Sequence, residues 1–287
     1  MKVKKGKNNA EFGAWLSIGV YIALSAVKLA IGYFSNSEAL LADGLNNTTD
    51  IIASLAVLIG LRISKKPADD DHKYGHSRAE TIASMVASFI MIGVGIEVLI
   101  NSVTGFLKGD ISTPNIIAAW VALGCAGIMF LVFRYNSRLA ERTGSRALKA
   151  VAVDNRSDAL VSLGTVVGIL GTIWGLPWLD ALTAIIVGVI ICKTAWDIFR
   201  EATHMLTDGF DVKQLETIKD TVIGLDGIEW VKDIKGRVHG NEIFVDLVIE
   251  VNHEMSVYES HAISENVEHE LLNKHQIKYV HVHIEPH

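Results

Sequence analysis

The chain has 287 residues, of which 50% are hydrophobic and 20% are charged, and its mean hydropathy is +0.33. This composition excludes a disordered or fibrous protein and argues against a wholly soluble one. The 26 basic and 32 acidic residues leave a net charge of -6, so we expect no cationic surface for nucleic acid. The two cysteines, Cys125 and Cys192, lie in apolar runs, which excludes a disulfide framework and a four-thiolate zinc site.

Six apolar stretches occupy the first 206 residues, and each is close to the roughly 20 residues that a helix needs to cross a bilayer. They cover 12–34, 38–61, 81–106, 115–133, 148–174 and 177–199. We therefore expect a multi-pass protein in the lipid bilayer of the cell membrane. An even number of spans places both termini on the same side.

The basic residues indicate which side that is. Fourteen of them flank the spans on the side of the N-terminus, against Lys108 alone in the opposite connections. The fourteen are Lys2, Lys4, Lys5, Lys7, Arg62, Lys65, Lys66, Lys73, Arg78, Arg134, Arg138, Arg142, Arg146 and Lys149. Because cytoplasmic loops carry the excess of Lys and Arg, both termini are predicted to be cytoplasmic.

The remaining residues, 207–287, are polar and predict a small second domain after a transmembrane domain at 1–206. Helical spacing at 211–225 precedes two strands at 228–238 and 242–251, the second with strict apolar alternation. Ser256 with Glu259 forms a capping-box pattern that opens a helix to 275, and a strand follows at 279–286. The order αββαβ predicts an α+β domain with both helices on one face of the sheet.

Acidic and amide side chains occur inside two spans, where a polar group is costly and therefore indicates function. Asp43 and Asn47 lie in span 2, and Asp154 and Asp158 lie in span 5. Each pair is four residues apart, so each projects from one helix face. Facing helices would bring four oxygen-bearing side chains into one divalent-cation site. The alternative is that these residues are hydrated near the ends of their spans.

This pattern resembles the cation diffusion facilitator family over nearly the whole chain. The shared features are six spans, a basic cytoplasmic tail, a C-terminal domain and the loop sequence PADDDHKYGHSRAE at 67–80. The resemblance implies a six-helix all-α membrane domain followed by a cytoplasmic α+β ferredoxin-like domain. It implies a homodimer and places the family's transport quartet on Asp43, Asn47, Asp154 and Asp158.

The quartet predicts manganese as the transported ion. Zinc members of the family typically carry a histidine in the quartet, whereas this chain has Asn47 and Asp154. Oxygen ligands suit harder ions such as Mn²⁺, and imidazole suits zinc. Subgroups that resemble manganese exporters carry such quartets. Zinc, iron and cobalt are the alternatives.

The resemblance implies a second metal site in the loop between spans 2 and 3. Its ligands correspond to Asp69, His72 and His76, with Asp70 or Asp71 as substitutes for Asp69. The two histidines are four residues apart, which puts both imidazoles on one side if the turn is helical. The alternative is a solvated acidic loop whose histidines cap span 3.

A third site, in the C-terminal domain, is implied at His261, His283 and Glu285. In the last strand, His281, His283 and Glu285 alternate with apolar residues and share one face. Two further family ligand positions are occupied here by Lys232 and Val248, which argues against a two-metal centre. A single weakly held ion or none is expected.

Other charged residues receive more ordinary interpretations. Arg78 and Asp208 match a charge interlock that the family places between its two domains, and two solvated loop charges are the alternative. Asp50, three residues after Asn47, is expected beside the quartet as a neighbouring or hydrated group, and membership of the metal site is the alternative. Four charged residues of the spans are expected to pair with one another or reach the interface, without a role in transport. These are Lys28, Glu97, Lys193 and Asp197.

Together the residues and the resemblance predict a proton-coupled antiporter that exports Mn²⁺ from the cytoplasm by alternating access. Metal ligands must be deprotonated to bind, so protons are the expected counter-ions. The competing class is an intramembrane metal-dependent hydrolase or a metal sensor. The sequence has neither an HExxH nor a GxSxG motif, and a sensor would not need six spans. The chain is therefore predicted not to be an enzyme.

Overall fold

The computed structural model describes residues 2–108, 114–143, 146–240, 242–277 and 279–287. Within these residues, six helices are long and apolar enough to cross a membrane, which confirms the six predicted spans. They are α1 (Lys2–Phe34), α2 (Glu38–Ser64), α3 (Ala79–Lys108), α4 (Ile116–Thr143), α5 (Arg146–Ile173) and α6 (Leu179–Leu206). Helices α4 and α6 continue past the apolar stretches because the polar segments that follow contain no glycine or proline to end the helix.

The chain forms two compact units. A helical unit comprises Met1–Ala56 and Val86–Asp197, and a second unit comprises Val57–Met85 and Ile198–His287. The division passes through α2, α3 and α6. The expected domain limits, 1–206 and 207–287, therefore stay a prediction.

Small residues let α1 and α2 pack closely as an antiparallel pair in the helical unit. A Cβ on Gly32 would lie 2.9 Å from the backbone nitrogen of Leu41, and one on Gly44 would lie 3.1 Å from that of Leu29. Such close approach of backbones is characteristic of small residues between membrane helices. It brings the polar face of α2 directly against α1.

Helix α2 also contacts helices on its other sides. Leu40 packs in a buried cluster with residues of α4 and α5, among them Ala122 and Ile169. Ala42 packs in another with residues of α3 and α6, among them Val98 and Val187. Polar residues of α2 are therefore enclosed by protein on several sides.

The N-terminus of α2 is capped by a side chain from another helix. Asp180, in the first turn of α6, accepts hydrogen bonds from the backbone nitrogens of Glu38 (2.6 Å) and Ala39 (3.2 Å). Its other oxygen accepts one from Ser37 Oγ at 2.8 Å. A carboxylate at this position satisfies free N–H groups and complements the helix dipole.

The second unit contains the predicted αββαβ order. Its elements are α7 (Val212–Ile223), β1 (Trp230–His239), β2 (Glu242–Val251), α8 (Val257–His275) and β3 (Tyr279–Pro286). The sheet order is β1-β2-β3, with β1 and β2 antiparallel and β2 and β3 parallel. The parallel pair requires a crossover, which α8 provides. The predicted α+β class is confirmed.

One face of this sheet carries the core. The alternation in β2 buries Val245, Leu247, Ile249 and Val251, which pack against buried residues of α7 and α8. Both helices therefore cover the same face, as predicted. The Ser256 capping box is confirmed as well: Ser256 Oγ accepts from the backbone nitrogen of Glu259, whose carboxylate accepts from the backbone nitrogen of Ser256.

Candidate metal transport site

The side chains predicted to form the transport site differ in their burial. Asp43 and Asn47 of α2 are fully buried, and Asp158 of α5 is 7% exposed. Asp154, one turn before Asp158, is exposed in the single chain. Asn46 Nδ2 of α2 donates to Asp158 Oδ1 at 3.1 Å, which places the two helices side by side at this level.

Lys28 occupies the space between these helices. Its ammonium nitrogen lies 2.9 Å from Asp43 Oδ1, 2.6 Å from Asn47 Oδ1 and 2.9 Å from Ser162 Oγ. The side chain has 0% exposure. The expectation that Lys28 pairs with Glu97, Lys193 or Asp197, or reaches the interface, is thus wrong, because the α1–α2 packing directs it toward Asp43.

Asp158 ends a chain of buried hydrogen bonds that includes α1, α4 and α5. Tyr21 Oη donates to Asp158 Oδ2 at 2.5 Å and accepts from Asn155 Nδ2 at 3.0 Å. Ser17 Oγ donates to Asn155 Oδ1 at 3.0 Å, and Asn136 Nδ2 donates to Ser17 Oγ at 2.8 Å. These contacts fix the orientation of the carboxylate, and its hydrogen-bond partners among the described residues are neutral.

Buried acceptors without a hydrogen bond lie beside this network. In the described part of the chain, Asp43 Oδ2 and Asp50 Oδ2 are buried and accept no hydrogen bond. Asp50 also interacts electrostatically with Asp154 and Asp158. Buried carboxylate oxygens are rarely left unpaired. Their chemistry is that of ligands for a hard divalent cation.

The loop residues Asp69, His72 and His76 come together in the second unit. Their ligand atoms all lie within 4.8 Å of one another. Asp69 Oδ1 is 3.2 Å from His72 Nδ1, and Asp69 Oδ2 is 3.4 Å from His76 Nε2. The turn is not helical, yet the two imidazole centroids are 4.4 Å apart. One carboxylate and two imidazoles at this spacing suit a transition-metal ion.

Asp69 rather than its acidic neighbours faces both histidines. Its Oδ1 accepts hydrogen bonds from the backbone nitrogens of His72 (2.7 Å) and Asp71 (3.1 Å). The bond from His72 lowers the pKa of Asp69, so the ionised form required of a ligand is favoured. Asp70 instead pairs with Lys73 at 3.2 Å. Gly75, at φ +76°, allows the chain to turn between the two histidines.

The C-terminal residues do not form a comparable cluster within the described residues of one chain. His261 lies near Glu265, with 3.5 Å between Nε2 and Oε1. Glu285 accepts a hydrogen bond from Lys232, and this bond lowers the pKa of Glu285 and raises that of Lys232. His283 Nε2 is 3.8 Å from Glu285 Oε1. The Lys232 ammonium is thus paired with the Glu285 carboxylate, which a metal would need as a ligand.

The predicted pair of Arg78 and Asp208 is formed within the second unit. Arg78 Nη2 donates to Asp208 Oδ1.

The pair borders a cavity of about 370 Å³. The lining residues are Tyr74, Arg78, Asp208, Arg237, His239 and Phe244. Burial and the two arginines lower the pKa of His239. Arg237 also has an acidic partner, Asp246, at 3.1 Å. The positive charges around this cavity are therefore already balanced.

Models of known protein families match almost the entire chain. The model described as the cation efflux transmembrane domain matches residues 14–207. The model described as the cation efflux protein, cytoplasmic domain, matches residues 210–287. The chain belongs to the cation efflux family. It is a multi-pass metal efflux transporter of the cell membrane and not an enzyme.

Several bacterial cation efflux proteins are similar over nearly their full length. The manganese efflux system protein MneS of Bacillus subtilis is 53% identical over 99% of this chain and 97% of its own. The transporter YdbO of the same organism is 52% identical over 99% and 97%. The manganese efflux system protein MneP, also from Bacillus subtilis, is 28% identical over 95% of each chain.

The sequence patterns did not identify several side chains around the transport site of this cation efflux protein, among them Lys28, Ser162 and Tyr21. Ser162 lies four residues after Asp158 and extends the same helix face, so its spacing was an available signal. Lys28 and Asp43 lie at similar distances from the turn between α1 and α2, which also predicts contact in an antiparallel pair. Tyr21 lies 137 residues from Asp158, and no local pattern indicates that contact.

Replacing Tyr21 with phenylalanine tests the polar network around Asp158. The change leaves the buried Asn155 amide and one Asp158 oxygen without a partner, which costs about 1–3 kcal/mol. We expect Tyr21→Phe to lower Tm by about 3 °C or more, measured by thermal unfolding of the detergent-solubilised protein. Tyr33→Phe, at a tyrosine that is 71% exposed, is the control. Equal Tm values for Tyr21→Phe and wild type would contradict a stabilising network.

Proposed function

We propose that this chain exports Mn²⁺ from the cytoplasm in exchange for protons, by alternating access of one site between α2 and α5. The proposed ligands are Asp43, Asn47, Asp154 and Asp158. The observation that carries the proposal is the set of buried carboxylates at membrane depth, including an Asp43 oxygen without a hydrogen bond. A structural role alone would not require unpaired acidic oxygens in this position.

The nature of the ligands supports manganese as the ion. All four proposed ligands offer oxygen, and neither histidine nor cysteine belongs to the quartet. Oxygen donors suit manganese, whereas imidazole and thiolate donors favour zinc. The similarity to MneS, a manganese efflux system protein, points in the same direction. Zinc is the second candidate, because it outranks manganese in intrinsic affinity at many sites.

Proton exchange follows from the chemistry of the ligands. A carboxylate must be deprotonated to bind a metal, so loading the site releases any proton that it carries. If the site returns protonated after the ion has left, each cycle moves protons opposite to the metal. Alternating access is required because the ligands lie within the spans and must face each side in turn.

The proposed topology places both termini, and a domain at 207–287, in the cytoplasm. The excess of Lys and Arg in the corresponding loops supports this orientation. We propose a homodimer in which the cytoplasmic domain takes part. Arg78 and Asp208 are proposed to hold the start of α3 to the segment that follows α6.

The two cytoplasmic sites are proposed to tune transport without being essential to it. Asp69, His72 and His76 already converge and would gather cations near the entrance. His261, His283 and Glu285 are proposed as a weak site, because Lys232 engages Glu285. Neither set lies among the proposed transport ligands between α2 and α5.

Asp158→Ala tests the transport site. Removal of this carboxylate deletes one of three charged ligands, and we expect Mn²⁺ flux into inverted vesicles to fall at least about 100-fold. Asp197→Ala removes an exposed carboxylate from α6 and serves as the matched control. The amount of folded protein in the vesicles is measured in parallel for each variant. Undiminished manganese flux in Asp158→Ala would refute the assignment.

Asp154→His tests what determines ion choice. The substitution replaces a hard oxygen by an imidazole nitrogen, which favours zinc. We expect the ratio of zinc to manganese flux in a competition assay to rise roughly tenfold, equivalent to ~1.4 kcal/mol. Asp154→Asn retains an oxygen donor and should shift the ratio less. The same ratio in Asp154→His and wild type would mean that this residue does not set selectivity.

His72→Ala and His283→Ala test the ranking of the three sites. We expect both variants to retain flux at saturating Mn²⁺, while His72→Ala raises the half-saturating concentration about threefold to tenfold. His283→Ala should reduce metal-dependent thermal stabilisation only modestly. His253→Ala, at an exposed histidine, is the control. Complete loss of flux in His283→Ala with the dimer intact would make the C-terminal site obligatory.

A further inference from the structure

The Lys28 ammonium is surrounded by oxygen atoms in the way that a bound metal cation would be. An ammonium group has three N–H donors and no acceptor. Here three oxygens surround it, from Asp43, Asn47 and Ser162, at 2.9, 2.6 and 2.9 Å. Every donor has an acceptor, and the side chain is fully buried. The oxygens come from two different helices, α2 and α5, so the ammonium links the two halves of the proposed transport site.

Two of these oxygens belong to proposed ligands of the transported ion. A divalent ion bound to Asp43 Oδ1 and Asn47 Oδ1 would lie within a few ångströms of the ammonium in its present position. Two like charges at this separation repel strongly at the low effective dielectric constant of a buried site, and a divalent ion roughly doubles the repulsion. The ammonium and the metal therefore cannot both occupy this half of the site.

We propose that Lys28 is an intramolecular competitor of the transported cation. Its ammonium occupies the half-site of Asp43 and Asn47 in the unloaded transporter, and the divalent ion displaces it on binding. The inference rests on the proposed function, because Asp43 and Asn47 are assigned there as ligands. Lys28 is thus a residue that sets the affinity and the charge selectivity of transport.

In the other half of the site, the hydrogen-bond partners of Asp158 among the described residues are neutral, so we expect the ion to bind there first. Asp158 is contacted by two neutral donors, Tyr21 Oη and Asn46 Nδ2. Asp154 is exposed in the single chain. An arriving ion can therefore engage the α5 carboxylates before it competes for α2. The long, flexible lysine stem allows the ammonium to move aside without unfolding α1.

Charge balance explains why such a competitor suits a divalent ion. The three quartet carboxylates and the neighbouring Asp50 outnumber the single ammonium, so the unloaded site carries net negative charge. A divalent ion offsets more of this charge than a monovalent ion does, and burying net charge is costly. Without Lys28 the same carboxylates would hold a divalent ion more tightly and release it more slowly.

Binding of Mn²⁺ to the purified full-length protein tests this proposal. Lys28→Gln removes the charge and keeps hydrogen-bonding atoms, and we expect its Kd for Mn²⁺ to be at least about tenfold lower than that of wild type. Lys28→Arg keeps the charge and should retain a Kd close to wild type. Lys193→Gln neutralises an exposed lysine of α6 and is the matched control. An unchanged or higher Kd in folded Lys28→Gln overturns the proposal.

A second measurement needs no variant. In a structure of the wild-type protein with Mn²⁺ at the α2–α5 site, the Lys28 nitrogen should no longer contact Asp43 Oδ1 and Asn47 Oδ1. An ammonium that keeps both contacts beside a bound ion would overturn the proposal, whether or not Lys28→Gln folds.

The proposed function fails by a different result. If Asp158→Ala binds and transports Mn²⁺ like wild type, the site itself is misassigned. If Asp158→Ala loses binding while Lys28→Gln shows no gain, the site stands and only the competitor role of Lys28 fails.

Discussion

Charge inside the membrane-spanning helices is the constraint that organises this protein. An ionised group removed from water is destabilising unless partners lie beside it, and the penalty in a spanning helix is larger than at any surface position. Lys28 and Asp43 are both fully buried, and each meets the other at 2.9 Å. Their contact requires α1 and α2 to lie close together, which Gly32 and Gly44 permit. The polar site thus depends on glycines that carry no chemistry themselves.

A single ion pair does not satisfy all of this polarity. Asp158 relies on neutral donors from α1 and α2, and Asp43 keeps one oxygen without a partner among the described residues. A buried polar atom without a hydrogen-bond partner destabilises the folded protein, but it leaves a ligand available to a transported ion. A site whose groups were all strongly paired would gain little from binding an ion, whereas an ion bound at the proposed site would supply the partner that Asp43 lacks.

Local patterns predicted the parts of the fold that depend on near neighbours. Six apolar stretches indicated the spans, the alternation around Leu247 indicated the central strand, and Ser256 with Glu259 marked the start of α8. Helix α4 extends to Thr143 because helix formation does not end where apolarity does.

The candidate site was predictable only in part for the same reason. Spacing of four residues identified faces on α2 and α5, and the structure brings Asn46 of α2 into hydrogen-bonding contact with Asp158 of α5. That the two faces together form one metal site stays a prediction. The contact of Lys28 with Asp43 depends on how closely α1 packs on α2, which the sequence does not show. Tyr21 contacts Asp158 across 137 residues of sequence. The loop residues converge through a non-helical turn at Gly75, which the spacing of the histidines does not reveal.

The carboxylate of Asp180 has a mechanical consequence. It holds the first residues of α2 to the first turn of α6 through three hydrogen bonds at one point. Sliding α2 along α6 would break all three together, whereas tilting α2 about this point would break none. A tilt of α2 about this joint would displace Glu38 least and residues farther along the helix progressively more. Asp43 lies near this pivot and Asn47 and Asp50 lie progressively farther from it, so a given tilt moves each of them by a different amount.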